Sequence, residues 1–308
     1  MLDSFLVVGT QVLVLFIMIG LGFFGGKIKL ITEEGVKCIN DIMLYFVTPC
    51  VIIDAFQREF DPQMLKNLLL AILASLLSHV LCFVLGFIFI KNKDEAKRRV
   101  LKFAVVFSNC GFMALPLLDA LLGSEGVFYG AGYLTIFNLA VWSFGQYSMA
   151  KGTQGFTFKK SIINPGVLSV FVGLIFFFAS IDLPTVIGEP IAFLADLNTP
   201  VPMLIIGYAI SKFSFKEIID IKQELPAILL RLLACPSILL IILYFMGYRG
   251  NLLISCVVSA ATPVAAITTM FSIKFGKDAK LASKIVAVSS LFSIITMTLV
   301  VSVARYLA

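Results

Sequence analysis

The sequence predicts an all-α integral membrane protein: ten transmembrane helices in a five-plus-five inverted repeat, with helices 4 and 9 broken. Three observations lead to this prediction. Of 308 residues, 60% are hydrophobic and 14% charged, and the mean hydropathy is +1.03. Apolar runs of about 18 residues or more, long enough to span a bilayer, recur along the chain. Prolines in these runs recur at an offset of five runs.

Ten apolar runs are predicted to cross the membrane. The first run lacks a basic leader and a small-residue cleavage site, so we interpret it as a retained span. The loops are short, and no soluble domain fits between the spans. The predicted spans are 5–26, 35–56, 66–90, 100–122, 127–150, 165–181, 190–211, 225–247, 251–273 and 281–305.

The basic residues predict the orientation of the chain. Of 24 lysines and arginines, 20 lie in or beside the loops after spans 1, 3, 5, 7 and 9, and the other four are Arg58, Lys66, Arg249 and Arg305. Cytoplasmic loops are enriched in Lys and Arg, so both termini are predicted to lie outside the cytoplasm, in a multi-pass protein of the cell membrane. Arg231, early in span 8, is expected to snorkel to the cytoplasmic surface, and the alternative is a role at the substrate site.

Paired prolines predict the internal repeat. Pro49 in span 2 and Pro202 in span 7 are each followed by an apolar run ending in Ile-Ile, and Pro116 in span 4 matches Pro263 in span 9. Five is an odd number, so the second half must enter the membrane from the opposite side, as in many secondary transporters. Residues 1–150 and 151–308 are therefore predicted to be inverted repeats. Chance placement of proline would give a similar pattern.

Polar residues interrupt span 4 at Ser108, Asn109, Gly111 and Pro116. Pro116 has no N–H to donate, so a helix broken there leaves backbone groups unpaired at membrane depth. Such groups are tolerated only where they face protein or water, and transporters hold substrates at such breaks. The alternative is an ordinary proline kink.

Small and hydroxyl residues surround a matching proline in span 9, where the candidate residues are Thr262, Pro263, Val264 and Thr268. If the two breaks cross, half-helix N-termini converge there with their N–H groups and partial positive charge. This geometry favours a carboxylate. Asn109 would contact that substrate, or would only satisfy backbone groups at the break.

Three ionisable residues are candidates for ion coupling. His79, the only histidine, lies near the centre of span 3, where it would carry a proton or simply bond to a neighbouring helix. Asp41 and Asp196 lie a few residues inside spans 2 and 7, as coupling sites or as wetted helix ends. Pro200 and Pro202 are expected to unwind or bend span 7.

Other functional classes find little support. The six cysteines form no C-x-x-C pair, so neither a disulfide framework, a metal site nor a cofactor is indicated. The basic residues are scattered, which argues against a nucleic-acid partner. No catalytic motif of a hydrolase or metalloprotease lies at membrane depth, so the chain is not expected to be an enzyme. A receptor would need a signalling domain, which the loops cannot hold.

The chain resembles the auxin efflux carrier family, which includes plant auxin carriers and bacterial malate and malonate permeases. The resemblance covers nearly the whole sequence. The matching stretches are Ser-Asn-Cys-Gly-Phe-Met-Ala-Leu-Pro-Leu-Leu at 108–118, Asn164-Pro165, Ala-Ala-Thr-Pro at 260–263 continuing to Phe271, and Pro49 with Asn40 upstream.

The resemblance implies a five-plus-five repeat with crossed helices 4 and 9, organic anions as substrates, and Asn109 as a substrate contact. One division that it allows makes helices 1, 2, 6 and 7 a scaffold and helices 3–5 and 8–10 a transport domain. The assignment of helices 3 and 8 to either part is left open. A homodimer is implied only by the resemblance. Plant members have glutamine and proline at the positions of Val264 and Thr268.

The loop at 151–160 is short, whereas many plant members have a long one, so a microbial carboxylate permease is expected rather than an auxin carrier. The alternative is a sodium- or proton-coupled transporter of the bile-acid type, or a cation/proton antiporter, on a related fold. Such antiporters usually have paired acidic residues at the crossing, and spans 4 and 9 carry none there.

Overall fold

The structure, a computed structural model, describes residues 2–150 and 165–308. Apart from one isolated bridge pair, the regular secondary structure of these residues is helical. The predicted loop at 151–160, the start of the second half at residue 151, and Asn164 lie outside the described residues. The helices are α1 (Leu2–Lys27), α2 (Glu33–Ala55), α3 (Pro62–Phe89), α4 (Glu95–Val106), α5 (Cys110–Met149), α6 (Pro165–Ala179), α7 (Thr185–Asp196), α8 (Pro200–Ser211), α9 (Phe215–Ile219), α10 (Leu225–Phe245), α11 (Gly250–Ala261), α12 (Ile267–Lys274) and α13 (Ala279–Leu307).

Seven helical stretches of the described chain are long and apolar enough to cross a membrane. Two further apolar helices, α6 and α11, are shorter. The chain is therefore an all-helical integral membrane protein, as predicted, whereas the count of ten spans and the inverted repeat stay predictions. The seven stretches are Leu6–Lys27, Glu33–Ala55, Pro62–Phe89, Cys110–Met149, Thr185–Ser211, Leu225–Phe245 and Ala279–Leu307.

Aspartate side chains set the starts of α3 and α4. Asp61 accepts from the backbone N–H of Gln63 at 2.6 Å, with Pro62 in the first helical position. Asp94 accepts from the backbone N–H of Ala96 at 2.9 Å. These carboxylates satisfy amides that have no partner within the helix, and their charge complements the helix dipole.

Pro116 does not break its helix, so the predicted position of the break is wrong. It lies in the first α-helical turn after a π-helical turn at Cys110–Ala114, and the helix continues beyond it. Pro49 and Pro236 likewise follow the π turns Met43–Val47 and Leu230–Ala234 by two residues. Proline crowds the carbonyl of the preceding turn, and a wider turn at that point relieves the crowding. The span 4 interruption lies at residues 107–109, between α4 and α5.

Gly123 divides the 40-residue helix α5. Its φ of 63° and ψ of −157° are not helical, and glycine adopts a positive φ without steric cost. The two parts coincide with the second half of predicted span 4 and with predicted span 5. In predicted span 7, α7 ends at Asp196 and α8 begins at Pro200, with a three-residue turn at 197–199 between them. Whether the prolines unwind or only bend this span stays a prediction.

The backbones of α1 and α8 touch at a pair of glycines. A Cβ added to Gly207 would lie 2.0 Å from the carbonyl oxygen of Ile19, and one added to Gly22 would lie 2.2 Å from that of Leu204. Small residues permit this approach between membrane helices, where packing and not hydrophobic burial holds helices together. The contact joins the first helix to one in the second half of the chain.

Candidate functional site

The two interrupted helices meet through their extended segments. Ser108 and Val264 form an antiparallel bridge. The backbone N–H of Asn109 donates to the carbonyl of Pro263 at 2.8 Å, and that of Ala265 donates to the carbonyl of Phe107 at 3.0 Å. We call residues 107–109 and 262–266 together the crossing. Each interruption thus satisfies backbone groups of the other, as groups at membrane depth require.

A serine of α13 supports the crossing from a third helix. The backbone N–H of Val264 donates to Ser289 Oγ at 3.1 Å, and Ser289 donates to the carbonyl of Val286 at 3.1 Å in its own helix. Thr262, which ends α11, donates to the carbonyl of Ser259 at 3.0 Å. The backbone N–H of Val264 and the hydroxyls of Ser289 and Thr262 are thus paired within the protein.

Three side chains at or beside the crossing keep unpaired polar atoms, and the first is Ser108, which is 1% exposed and whose Oγ has no partner among the described residues. Asn109 is 5% exposed and Thr268 is fully buried, yet Asn109 Nδ2 and Thr268 Oγ1 have no hydrogen-bond partner among the described residues. Asn109 immediately precedes α5, and Thr268 lies in the first turn of α12. A buried polar atom without a partner destabilises the protein, so such an atom calls for an explanation, such as a ligand.

The structure brings together seven of the eight sequence-predicted site residues. Pro116 is the exception, since it lies seven residues beyond Asn109, or about 10 Å along a helix. Gly111 lies in the first turn of α5. The seven residues at the crossing or in the adjoining helical turns are Ser108, Asn109, Gly111, Thr262, Pro263, Val264 and Thr268.

Arg231 does not reach the membrane surface, so the snorkelling prediction is wrong. The residue is 1% exposed and lies in the π turn of α10. Its Nη1 donates to the carbonyls of Val105, at 2.9 Å, and Val106, at 3.3 Å, and its Nη2 donates to the carbonyl of Ala260. These carbonyls belong to the last turns of α4 and α11, and the carbonyls of a last helical turn have no N–H donor within the helix. The free carbonyls draw the guanidinium inward.

His79 is the one candidate coupling residue near the crossing. Its ring centroid lies 5.9 Å from that of Phe107. Nδ1 lies 2.7 Å from the carbonyl oxygen of Ser75, one turn earlier in α3, and a carbonyl only accepts, so Nδ1 carries the proton. Nε2 has no partner among the described residues. The bond is made within α3 and not to a neighbouring helix, while Asp41 and Asp196 are exposed.

Aromatic rings pack around Phe107, the first residue of the crossing. The Phe107 ring lies 4.4 Å from that of Phe103 and 5.9 Å from that of Phe137, centroid to centroid. A cavity of about 40 Å³ is lined by Phe103, Phe107 and Lys102, among others. A water needs roughly 10–15 Å³ of such space, so this cavity holds a few waters and no dicarboxylate. Asn109 itself is 5% exposed, so a ligand reaches it only if neighbouring side chains move.

Sequence reasoning missed Ser289 as a part of this site, and for Arg231 it favoured the membrane surface over a place here. The signal for Arg231 was present, because a charge inside an apolar span is by default a functional candidate. Ser289 and Ser290 form a serine pair within the apolar helix α13, which is a weaker signal. Neither residue's partners could be read from spacing, since both contact segments far away in sequence.

Comparison with known proteins agrees with this architecture. The family model described as "Membrane transport protein" matches residues 7–158 and 149–301. An uncharacterized transporter of Methanothermobacter thermautotrophicus is 23% identical over 296 residues, covering 94% of this chain and 95% of that protein. An uncharacterized transporter of Methanocaldococcus jannaschii is 23% identical over 304 residues, covering 94% and 96%. A proposed malonate transporter of Rhizobium meliloti is 21% identical over 300 residues, covering 93% and 92%.

The family match spans nearly the whole chain, as did the resemblance seen in the sequence. The chain belongs to the membrane transport protein family, that of the auxin efflux carriers.

Proposed function

We propose that this protein is a secondary transporter of small organic anions, carboxylates such as malate, malonate or auxin-like acids. Its substrate would bind at the crossing, and alternating access would carry it across the membrane. The observation that carries the proposal is the pair of unpaired, buried polar atoms, Asn109 Nδ2 and Thr268 Oγ1, at two helix N-termini. Both an amide N–H and a hydroxyl can donate to a carboxylate.

The surroundings of the crossing favour negative charge. The helices α5 and α12 begin there, and the first amides of a helix have no acceptor within it and carry partial positive charge. Anions bind at helix N-termini for this reason, and discontinuous helices of transporters present such ends to anionic substrates. The proposed malonate transporter among the relatives supports the same substrate class.

The proposal includes the two predicted inverted repeats, residues 1–150 and 151–308. Its support is the reciprocal hydrogen bonding of residues 107–109 and 262–266, one interruption from each half. Equivalent breaks that enter from opposite sides would cross near the middle of the bilayer. Because Asn109 is 5% exposed, opening to either side would have to move the side chains around it.

A ligand screen tests the substrate class. Purified protein is heated with malate, malonate, indole-3-acetate and uncharged analogues, each with and without sodium. A bound ligand raises the melting temperature by mass action, so carboxylates are expected to stabilise the protein and uncharged analogues are not. A shift that requires sodium would favour a sodium-coupled carrier of the bile-acid type. Stabilisation by none of the carboxylates would refute the proposed substrate class.

Asn109→Ala tests the site. The variant removes a buried amide without a partner, so the free protein is expected to melt at the same or a higher temperature. Malonate binding is expected to weaken about tenfold or more, because a hydrogen bond to a charged group is lost. Asn67→Ala is the matched control, since Asn67 Nδ2 donates to Tyr129 Oη at 3.1 Å away from the crossing. It should lower stability and leave malonate affinity unchanged. Equal malonate affinity in wild type and Asn109→Ala would place the site elsewhere.

A further inference from the structure

Arg231 carries a charge in the protein interior that the transport proposal does not yet use. Its side chain is 1% exposed and lies among apolar helices. A cation at membrane depth is unfavourable unless it is well bonded, and such residues are usually functional. The contacts of Arg231 show what surrounds this charge.

The guanidinium lies between the two helix ends that lead into the crossing. Nη1 bonds to the carbonyls of Val105 and Val106 at the end of α4, and Nη2 bonds to that of Ala260 at the end of α11. Nη1 also lies 3.5 Å from the thiol sulfur of Cys82 in α3. One side chain thus binds the C-terminal ends of both interrupted helices.

Within residues 2–150 and 165–308, no carboxylate forms an ion pair with Arg231. The ion pairs among the described residues involve Arg99, Lys212, Lys280 and Lys284 instead. Nε of Arg231 has no hydrogen-bond partner among the described residues. Among the described residues, the guanidinium is bonded to three backbone carbonyls and lies 3.5 Å from the Cys82 sulfur. The carbonyls at a helix end carry about half an elementary negative charge.

This arrangement changes the field at the crossing. Four half-helices meet there, and the two C-terminal ends alone would present negative potential that opposes the positive potential of the N-terminal ends. The charge of Arg231 offsets the C-terminal ends of α4 and α11. The N-terminal ends of α5 and α12 are then left unopposed.

We infer that Arg231 is a positioning and specificity residue that gives the crossing its preference for anions without touching the substrate. This role rests on the proposed transport of carboxylates at the crossing. The competing interpretation is that Arg231 only caps free carbonyls. The two interpretations make different predictions. A carboxylate placed beside the guanidinium would cancel an effect of its charge, whereas it would leave the capping hydrogen bonds in place.

A series of ligands with decreasing charge measures the preference. Malonate carries two carboxylates, malonamate carries one, and malonamide carries none. Their affinities are measured by calorimetry on purified wild type, Arg231→Lys, Arg231→Gln and the control Arg305→Gln. In Arg231→Gln the malonate-to-malonamate affinity ratio should fall about tenfold or more, since one nearby buried charge is removed. Malonamide is the uncharged reference and is not expected to bind to wild type. Arg231→Lys and Arg305→Gln should keep the ratio within about threefold of wild type, because position 231 carries a positive charge in both variants.

A second pair of variants leaves Arg231 in place. Cys82→Asp puts a carboxylate beside the guanidinium, 3.5 Å from Nη1 in the present arrangement of the thiol, and Cys82→Asn is its uncharged control. Cys82→Asp should lower the affinity ratio as Arg231→Gln does, while Cys82→Asn should preserve it. These variants answer the question even where Arg231→Gln fails to fold, since the carbonyl contacts of Arg231 can persist.

The outcomes separate the two proposals. An unchanged ratio in folded Arg231→Gln or Cys82→Asp would overturn the charge role and leave Arg231 as a cap. A Lys variant that does not fold would also count against it, because the charge alone would then not suffice. If wild type binds none of the carboxylates, the proposed function fails, and the role of Arg231 fails with it.

Discussion

The backbone amide of Val264 donates to the hydroxyl of Ser289 at 3.1 Å, which ties the interruption in the second half of the chain to α13. Ser290, the next residue, donates only within its own helix, to the carbonyl of Val286 at 2.8 Å. Both serines are fully buried. The pair therefore provides a matched test of the contact.

We expect Ser289→Ala to lower the free energy of unfolding by about 1–2 kcal/mol more than Ser290→Ala, because it leaves the buried N–H of Val264 without an acceptor. The measurement is the melting temperature of each purified variant in one detergent. Equal melting temperatures would mean that the Val264 amide finds another acceptor.

Gly207→Ala is expected to disrupt the packing of α1 on α8. Its Cβ would lie 2.0 Å from the backbone carbonyl of Ile19, and backbone atoms cannot move aside as a side chain does. Overpacking of this kind destabilises a protein by about 1–3 kcal/mol or more. Gly20→Ala is the control, because a Cβ there meets nothing within 4 Å. Size-exclusion profiles and melting temperatures should change for Gly207→Ala only. A Gly207→Ala variant as stable as wild type would contradict the close approach of these helices.

His79 is the candidate coupling residue that we expect to matter for transport. A side chain that is protonated and deprotonated during transport must lie near the substrate path. The His79 ring lies 5.9 Å from the Phe107 ring, centroid to centroid, whereas Asp41 and Asp196 are exposed. Malonate uptake into liposomes is measured with and without a pH gradient. His79→Gln should remove any stimulation by the gradient, and Asp41→Asn and Asp196→Asn should retain it. Loss of the stimulation in an aspartate variant instead would move the coupling site to that residue.

The orientation of the chain is open to a labelling test. Glu34, in the first turn of α2, and Glu59, four residues after its last residue, are both exposed. The excess of basic residues predicts that the start of α2 is at the cytoplasmic side and that the segment holding Glu59 is external. A membrane-impermeant maleimide applied to intact cells should therefore label Glu59→Cys and leave Glu34→Cys unlabelled until the cells are lysed. The reverse pattern would invert the predicted topology.

The sequence by itself determined the helical membrane class, the approximate limits of the helices and the existence of an interruption near Asn109 and another at Pro263. These properties are local, since a run of apolar residues, a proline or a glycine acts within a turn or two of itself. Even so, the prediction placed the first interruption at Pro116, which is wrong. A π turn precedes this proline and lets the helix continue through it. The chain leaves the helical conformation at residues 107–109, which hydrogen-bond to residues 263 and 265.

Only the tertiary structure decided the location of the Arg231 side chain and the neighbours of His79. An arginine in an apolar helix either extends to the membrane surface or binds polar groups inside the protein, and its own segment looks the same in both cases. The choice depended on free carbonyls at Val105 and Ala260. Val105 lies 126 residues from Arg231 in the chain, and Ala260 lies 29 residues from it. Those carbonyls are free because two helices end where they cross, and that encounter is a property of the folded molecule.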